Sequence, residues 1–96
     1  MQYLSTRDSQ CRVESTQAIS RGISVEGGLF VPETLPAITL DTIQSMTKMS
    51  YVERAKYVLS LFLTDFTPEE IAYCAENAYT AEKFGSDQIA QISKVE

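Results

Sequence analysis

The chain has 96 residues, 44% of them hydrophobic and 22% charged, with four glycines and three prolines. That length allows one small domain burying between about 60% and 70% of its unfolded surface, and the composition excludes a disordered tail or a low-complexity linker. A net charge of −5 without any histidine argues against nucleic acid, whose phosphates call for a basic face, and excludes Ser-His-Asp or Cys-His nucleophilic chemistry built from this chain alone.

In chain order, Tyr-Leu-Ser-Thr at residues 3–6 has β character, and Cys-Arg-Val at 11–13 reads as a second short strand across the polar turn 7–10. Ser15 is placed to cap a short helix over 16–21, with Arg21 favourable at its negative end and Gly22 suited to a left-handed C′ position. Gly27-Gly28 predicts a turn into a brief strand, Leu29-Phe30-Val31, stopped by Pro32; residues 34–36 connect onward.

From Thr39 the pattern turns helical. Thr39 caps a short helix expected to turn Leu40, Ile43 and Met46 towards the core. Ser50 and Glu53 form a capping box for a helix whose apolar stripe runs Val52, Ala55, Val58, Leu59, Phe62, Leu63. The strongest local signal follows. Thr67 is the N-cap, Pro68 occupies the first helical position, Glu70 completes a capping box, and Phe66 with Ile71 forms a hydrophobic staple. Ile71, Cys74, Ala75, Ala78 and Tyr79 extend the buried stripe; Gly85 interrupts the tail, and 87–92 reads as one more helical segment. These elements predict an α+β fold: a small, mostly helical single domain over 1–96 with a short N-terminal β unit.

No apolar run approaches the roughly 20 residues of a membrane helix, and Arg7, Asp8 and Arg12 fall where a signal peptide would be greasy. We therefore expect a soluble, cytoplasmic chain with no membrane and no nucleic-acid partner. Residues 1–22 carry +1 (Arg7, Arg12 and Arg21 against Asp8 and Glu14), leaving −6 on the remainder. Cys11 and Cys74 are far apart and show no metal-type spacing.

Ser5-Thr6-Arg7 offers two hydroxyls and a guanidinium, a group suited to an anion, against the simpler reading of a polar strand end. Cys74 on the apolar stripe reads as a small buried hydrophobe, and Cys11 beside Arg12 as an ordinary strand residue. Glu69-Glu70 belong to a helix's first turn, where capping and the macrodipole explain them better than acid–base chemistry. Glu26-Gly27-Gly28 lacks the other positions of a phosphate-cradling loop. Tyr51, Tyr57, Phe62, Tyr73 and Tyr79 recur on helices, as packing residues do. Chemistry read from residues alone yields no active site.

The order of motifs says more. Tyr3-x-Ser5-Thr6-Arg7 opens the chain, Ala18-Ile19-x-x-Gly22 closes the first predicted helix, and Gly27-Gly28-Leu29-Phe30-Val31-Pro32-Glu33 leads to Leu35-Pro36. In this order they resemble the N-terminal domain of threonine synthase, and the later helices with their Thr67-Pro68-Glu69-Glu70 entry fit in spacing. The departures are Asp8, where Gly or Asn is more usual, and Glu26, where Asp commonly precedes the glycine pair. The resemblance implies an enzyme that uses pyridoxal phosphate to turn O-phosphohomoserine and water into threonine and phosphate, with the cofactor on a lysine in a Ser-Phe-Lys-Asp-like motif above a glycine-rich cup.

Neither motif occurs here, and none of Lys48, Lys56, Lys83 and Lys94 has that context. The expectation is an accessory domain, inactive alone and without catalytic, cofactor or metal residues of its own, whose partner is the catalytic domains of the same polypeptide. Ser5, Thr6, Arg7 and Phe30 are then candidates for the active-site edge or for docking, with the Leu29–Val31 pair replacing Phe30 if the strand's faces are reversed. The alternatives are a free-standing helical module that binds a protein partner and, with no base, nucleophile or cofactor cradle to support it, an independent small enzyme.

Overall fold

A computed structural model describes residues 1–95. Eight elements follow in order: β1 (Tyr3–Ser5), β2 (Arg12–Val13), α1 (Ser15–Arg21), β3 (Phe30–Pro32), α2 (Leu40–Met46), α3 (Tyr51–Phe62), α4 (Pro68–Ala78) and α5 (Ala81–Phe84). The fold is α+β, a small three-stranded sheet followed by helices. The sheet is antiparallel in the order β2-β1-β3, with Tyr3 opposite both Val13 and Pro32, Leu4 opposite Arg12 and Val31, and Ser5 opposite Phe30.

This register sorts the side chains. Tyr3, Ser5, Val13, Phe30 and Pro32 share one face, and Leu4, Arg12 and Val31 share the other. The first face is covered: Ser5 and Val13 are buried, and Tyr3, Phe30 and Pro32 are half-buried. The second is open. The strand predicted at 29–31 is shifted by one residue, because Leu29 pairs back with Ile23 in an isolated bridge while Pro32 is tolerated on an edge strand.

Two local expectations fail at α1. Its N-cap is Glu14 rather than Ser15: the Gln17 side chain accepts from the Glu14 amide, and the Ser15 hydroxyl donates to the Asp65 carboxylate instead. Gly22 does take a positive φ of 75°, but with ψ at −55° it forms a γ-turn, closed by the Ile23 amide on the Arg21 carbonyl, instead of a left-handed cap.

The helix entries further on are as expected at Thr39 and Thr67, whose hydroxyls accept from Thr42 and Glu70 amides. Glu70 returns the favour by accepting from the Thr67 amide at 2.8 Å, completing the box. At α3 only half a box forms: Ser50 caps the Glu53 amide, but the Glu53 carboxylate meets the Ser50 hydroxyl instead of its amide. Helices α3 and α4 pack closely on each other, and Lys56 on α3 reaches Glu76 on α4 at 2.6 Å.

The apolar stripes are less buried than their periodicity predicts. Leu40 and Ile43 of α2 are exposed, because no other helix packs closely on that short element. Cys74 and Ala78 are also exposed, contrary to expectation, while Ile71 and Ala75 are buried and Ala72 and Tyr79 half-buried. Helix α4 is therefore rotated so that the Ile71–Ala72–Ala75–Tyr79 stripe faces inward and Cys74 lies beyond its edge. Thr80 caps an α5 that the sequence reading did not contain, and left-handed Gly85 ends it. Residues 87–92 are not helical, and Ala90 sits at φ 54°.

Among the described residues, only Val13, Ile71 and Ala75 are buried hydrophobic residues. The Cα radius of gyration is 15.9 Å, against about 12.5 Å for a compact domain of this length. This is a loosely covered domain.

Candidate functional site

The polar residues at the end of β1 converge on the turn before β3. Ser5 is buried, and its Oγ lies 2.9 Å from the Oγ of buried Ser24. Ser24 accepts the Gly28 amide at 2.8 Å and donates to the Glu26 carboxylate at 2.6 Å, while Ser5 accepts the Arg7 amide at 3.2 Å. One proton order satisfies the chain: Ser5 donates to Ser24, and Ser24 to Glu26. Thr6 Oγ1 accepts the Leu29 amide at 2.9 Å, and the Arg7 guanidinium donates to the Glu26 carbonyl at 3.1 Å.

Gly28 is obligatory here for reasons of space. A Cβ on it would lie 2.3 Å from Ser5 Oγ and 3.0 Å from both Ser24 Oγ and the Arg7 amide nitrogen. Gly27 is required by its backbone, at φ 84°. Ser5, Thr6 and Arg7 are thus brought together, as the sequence reading grouped them, and their polar groups brace the turn.

The cluster is poorly suited to catalysis. The hydrogen bond from Ser24 foremost, then Ser5, with Arg7 adding a smaller attraction, holds the Glu26 carboxyl below its ordinary range. A carboxylate made more acidic beside a buried hydroxyl is a weak base facing a shielded nucleophile. Arg7 is exposed, and its guanidinium has donors beyond the one given to the Glu26 carbonyl. Phe30 lies on the covered face opposite Ser5, whereas Leu29 and Val31 are 62% and 40% exposed. The reversed arrangement of the strand's faces is the one observed.

A second polar junction lies between the sheet and the helices. The Asp65 carboxylate accepts from the Ser15 hydroxyl and, at 2.9 Å, from the Thr16 amide. Partial burial alone would raise its pKa, but these hydrogen bonds outweigh it and hold the carboxyl well below the usual range. Tyr3 donates its phenol to the Phe62 carbonyl at 2.6 Å; burial, then the Asp65 charge, push that phenol upward. Neither Ser24 nor Asp65 stood out in the sequence. Ser24 four residues before Gly28 is a turn signal in retrospect, whereas Asp65 acts across 50 positions and left no local trace.

The chain's lysines do not fit a pyridoxal-phosphate cradle. Lys56 is paired with Glu76, Lys83 donates to the Asn77 carbonyl, and the glycines bracing the turn stand near none of the four. Among the described residues, no three of His, Cys, Asp or Glu converge as metal ligands. The groove between α3 and Tyr79, lined by Tyr51, Arg54, Ala55, Val58 and Leu59, is apolar. Arg54 at its side is already bound to the carbonyls of Met46 and Thr47.

Comparison with known proteins identifies what the geometry leaves open. Residues 2–79 match the family described as threonine synthase N terminus. The chain belongs to that family. Threonine synthase from Corynebacterium glutamicum is 31% identical over all of this chain and 21% of its own length, and that from Escherichia coli is 35% identical over 74% of this chain and 17% of its own. The crystal structure of threonine synthase from Escherichia coli is similar at a TM-score of 0.74 and 30% identity, covering 84% of this chain and 20% of that one. The chain therefore spans about a fifth of the length of the threonine synthases it matches.

Proposed function

We propose that this chain is the accessory N-terminal domain of a cytoplasmic threonine synthase, inactive alone, which packs on catalytic domains of the same polypeptide. Those domains carry the pyridoxal phosphate and convert O-phosphohomoserine and water into threonine and phosphate. The observation that carries the reading is the family match over residues 2–79, together with the likeness of 84% of the chain to a fifth of a much longer enzyme. The turn cluster is a braced scaffold that carries the Arg7 guanidinium, a part suited to support rather than to chemistry of its own. Family membership also favours this reading over a free-standing interaction module. No helix among the described residues is long and apolar enough to cross a membrane.

The test is a chimera in which these 96 residues replace the matching N-terminal part of the Escherichia coli enzyme. It is expected to release phosphate from O-phosphohomoserine and to support growth of a threonine auxotroph. A well-folded chimera without either property overturns the reading.

A further inference from the structure

We propose that the open face of the β-sheet, formed by Leu4, Ile23, Leu29 and Val31, is the surface on which the catalytic part of the synthase seats; this rests on the function proposed above. The argument starts from register. Leu4 stands opposite Val31, and Ile23 is bridged to Leu29, so strand alternation places these four apolar side chains on one side of the sheet. An antiparallel sheet with a solvated face normally alternates apolar inward with polar outward. Here the inward face is already served by Tyr3, Val13, Phe30 and Pro32, while the outward face carries an apolar patch beside Arg12, with Leu4 half-buried in it. Ile23 and Leu29 are 59% and 62% exposed, and Val31 is 40% exposed. Two apolar faces on one three-stranded sheet require two covers, and this domain supplies one.

The rim points the same way. Arg12 and Glu33 flank Leu4 and Val31 on the open side and pair with each other at 3.0 Å, which leaves the border of the patch without net charge. A neutral border suits a surface that is to be enclosed.

The choice of occupant rests on two observations. In the solved Escherichia coli enzyme this fold makes up 20% of the chain, so most of that polypeptide lies outside the domain and is available to cover the sheet. A second copy of this chain is disfavoured because each carries a net charge of −5, and two such faces would meet against mutual repulsion. The braced Gly27–Gly28 turn also holds Leu29 and Val31 on a stiff segment between the Ser24 cluster and Pro32, so the surface is preformed.

The experiment labels Val31→Cys with a maleimide, in a chain whose Cys11 and Cys74 are serine, both as the free chain and within the chimera. Lys48→Cys, on the exposed α2–α3 connection, is the control. Labelling of Val31→Cys is expected to slow at least about ten-fold on going from free chain to chimera, with the control unchanged. Val31→Asp is expected to abolish phosphate release by the chimera while leaving the circular dichroism of the free chain intact. Equal labelling rates in an active chimera would overturn the surface and leave the proposed function standing. Slow, concentration-dependent labelling in the free chain would overturn it in favour of self-association. A folded but inactive chimera with equal labelling removes both the function and the surface.

Discussion

Asp65 caps the helix that Ser15 begins, from 50 positions further along the chain. Its carboxylate takes the hydroxyl of Ser15 and the amide of Thr16, two donors that face the start of α1, where the helix dipole also favours an anion. The loop between α3 and α4 thus completes a helix belonging to the front of the chain, and the sheet and helical parts are joined by chemistry as well as by packing.

Replacing Asp65 by Asn is expected to cost about 0.5–2 kcal/mol at pH 7, the range for a lost helix cap. The dependence on pH has a definite sign. Because the folded carboxyl is held below its unfolded value, the unfolded chain takes up the proton first as pH falls. The stabilisation is complete above about pH 5 and is lost progressively as pH drops through about 3.9 towards the folded value. Urea denaturation of parent and Asp65→Asn should therefore differ at pH 7 and converge in strong acid. A gap that persists or widens there would show that the charge is not what matters.

Gly28→Ala is expected to destabilise the domain by about 1–3 kcal/mol, because the added methyl drives apart the Ser5 and Ser24 hydroxyls in a buried place. Gly28→Ala combined with Ser5→Ala should recover part of that loss by vacating the most crowded atom. Thermal melts of the single and double variants check the relation. No recovery would place the strain in the Arg7 backbone instead.

Thr67→Ala should cost about 1 kcal/mol and Thr67→Ser almost nothing, since only the hydroxyl closes the first turn of α4. Chemical denaturation of the three proteins is the measurement. An alanine variant as stable as the parent would mean that Glu70 and Pro68 suffice to start the helix.

Cys74 is exposed and Cys11 half-buried. In the native chain a thiol reagent should modify Cys74 first, with Cys11 catching up only under denaturing conditions. Mass spectrometry of partially labelled protein reads the order directly, and preferential labelling of Cys11 would place α4 in a different rotation.

The purified chain is expected to release no phosphate from O-phosphohomoserine and to bind pyridoxal phosphate without saturation. Lys56 is tied to the Glu76 carboxylate and Lys83 to the Asn77 carbonyl, and none of the four lysines stands in a Ser-Phe-Lys-Asp-like motif. Stoichiometric cofactor binding, or measurable phosphate release, would contradict this.

Much of the fold was legible because its signals are local. Thr39 and Thr67 announce their helices through hydroxyl-to-amide bonds three residues away, and the Gly27–Gly28 pair marks a turn by its own backbone needs. What the sequence hid is relational. Ser15 reads as a cap until Asp65 is seen to claim its hydroxyl, and Cys74 reads as buried until α3 decides which side of α4 turns inward. The same holds for the candidate site. Ser5, Thr6 and Arg7 were visible as a group by adjacency, but their use as braces depends on Ser24 and Leu29, which only the hairpin brings near. The apolar character of Leu29 and Val31 was plain, but which face of the strand stays open is set by pairing register.

The tethers between the two parts of the domain converge on one short connection. The terminal amine of Met1 donates to Thr64, Tyr3 to Phe62, and Ser15 with Thr16 to Asp65. A growing chain therefore makes its first strand long before it makes the anchor for it. At roughly 5–20 residues per second, about 3–12 seconds separate the synthesis of Tyr3 from that of Phe62. During that interval the amino terminus has strand partners and no foundation. The α3–α4 connection is where this exposure ends, so a slow codon placed ahead of residue 62 would prolong the vulnerable period.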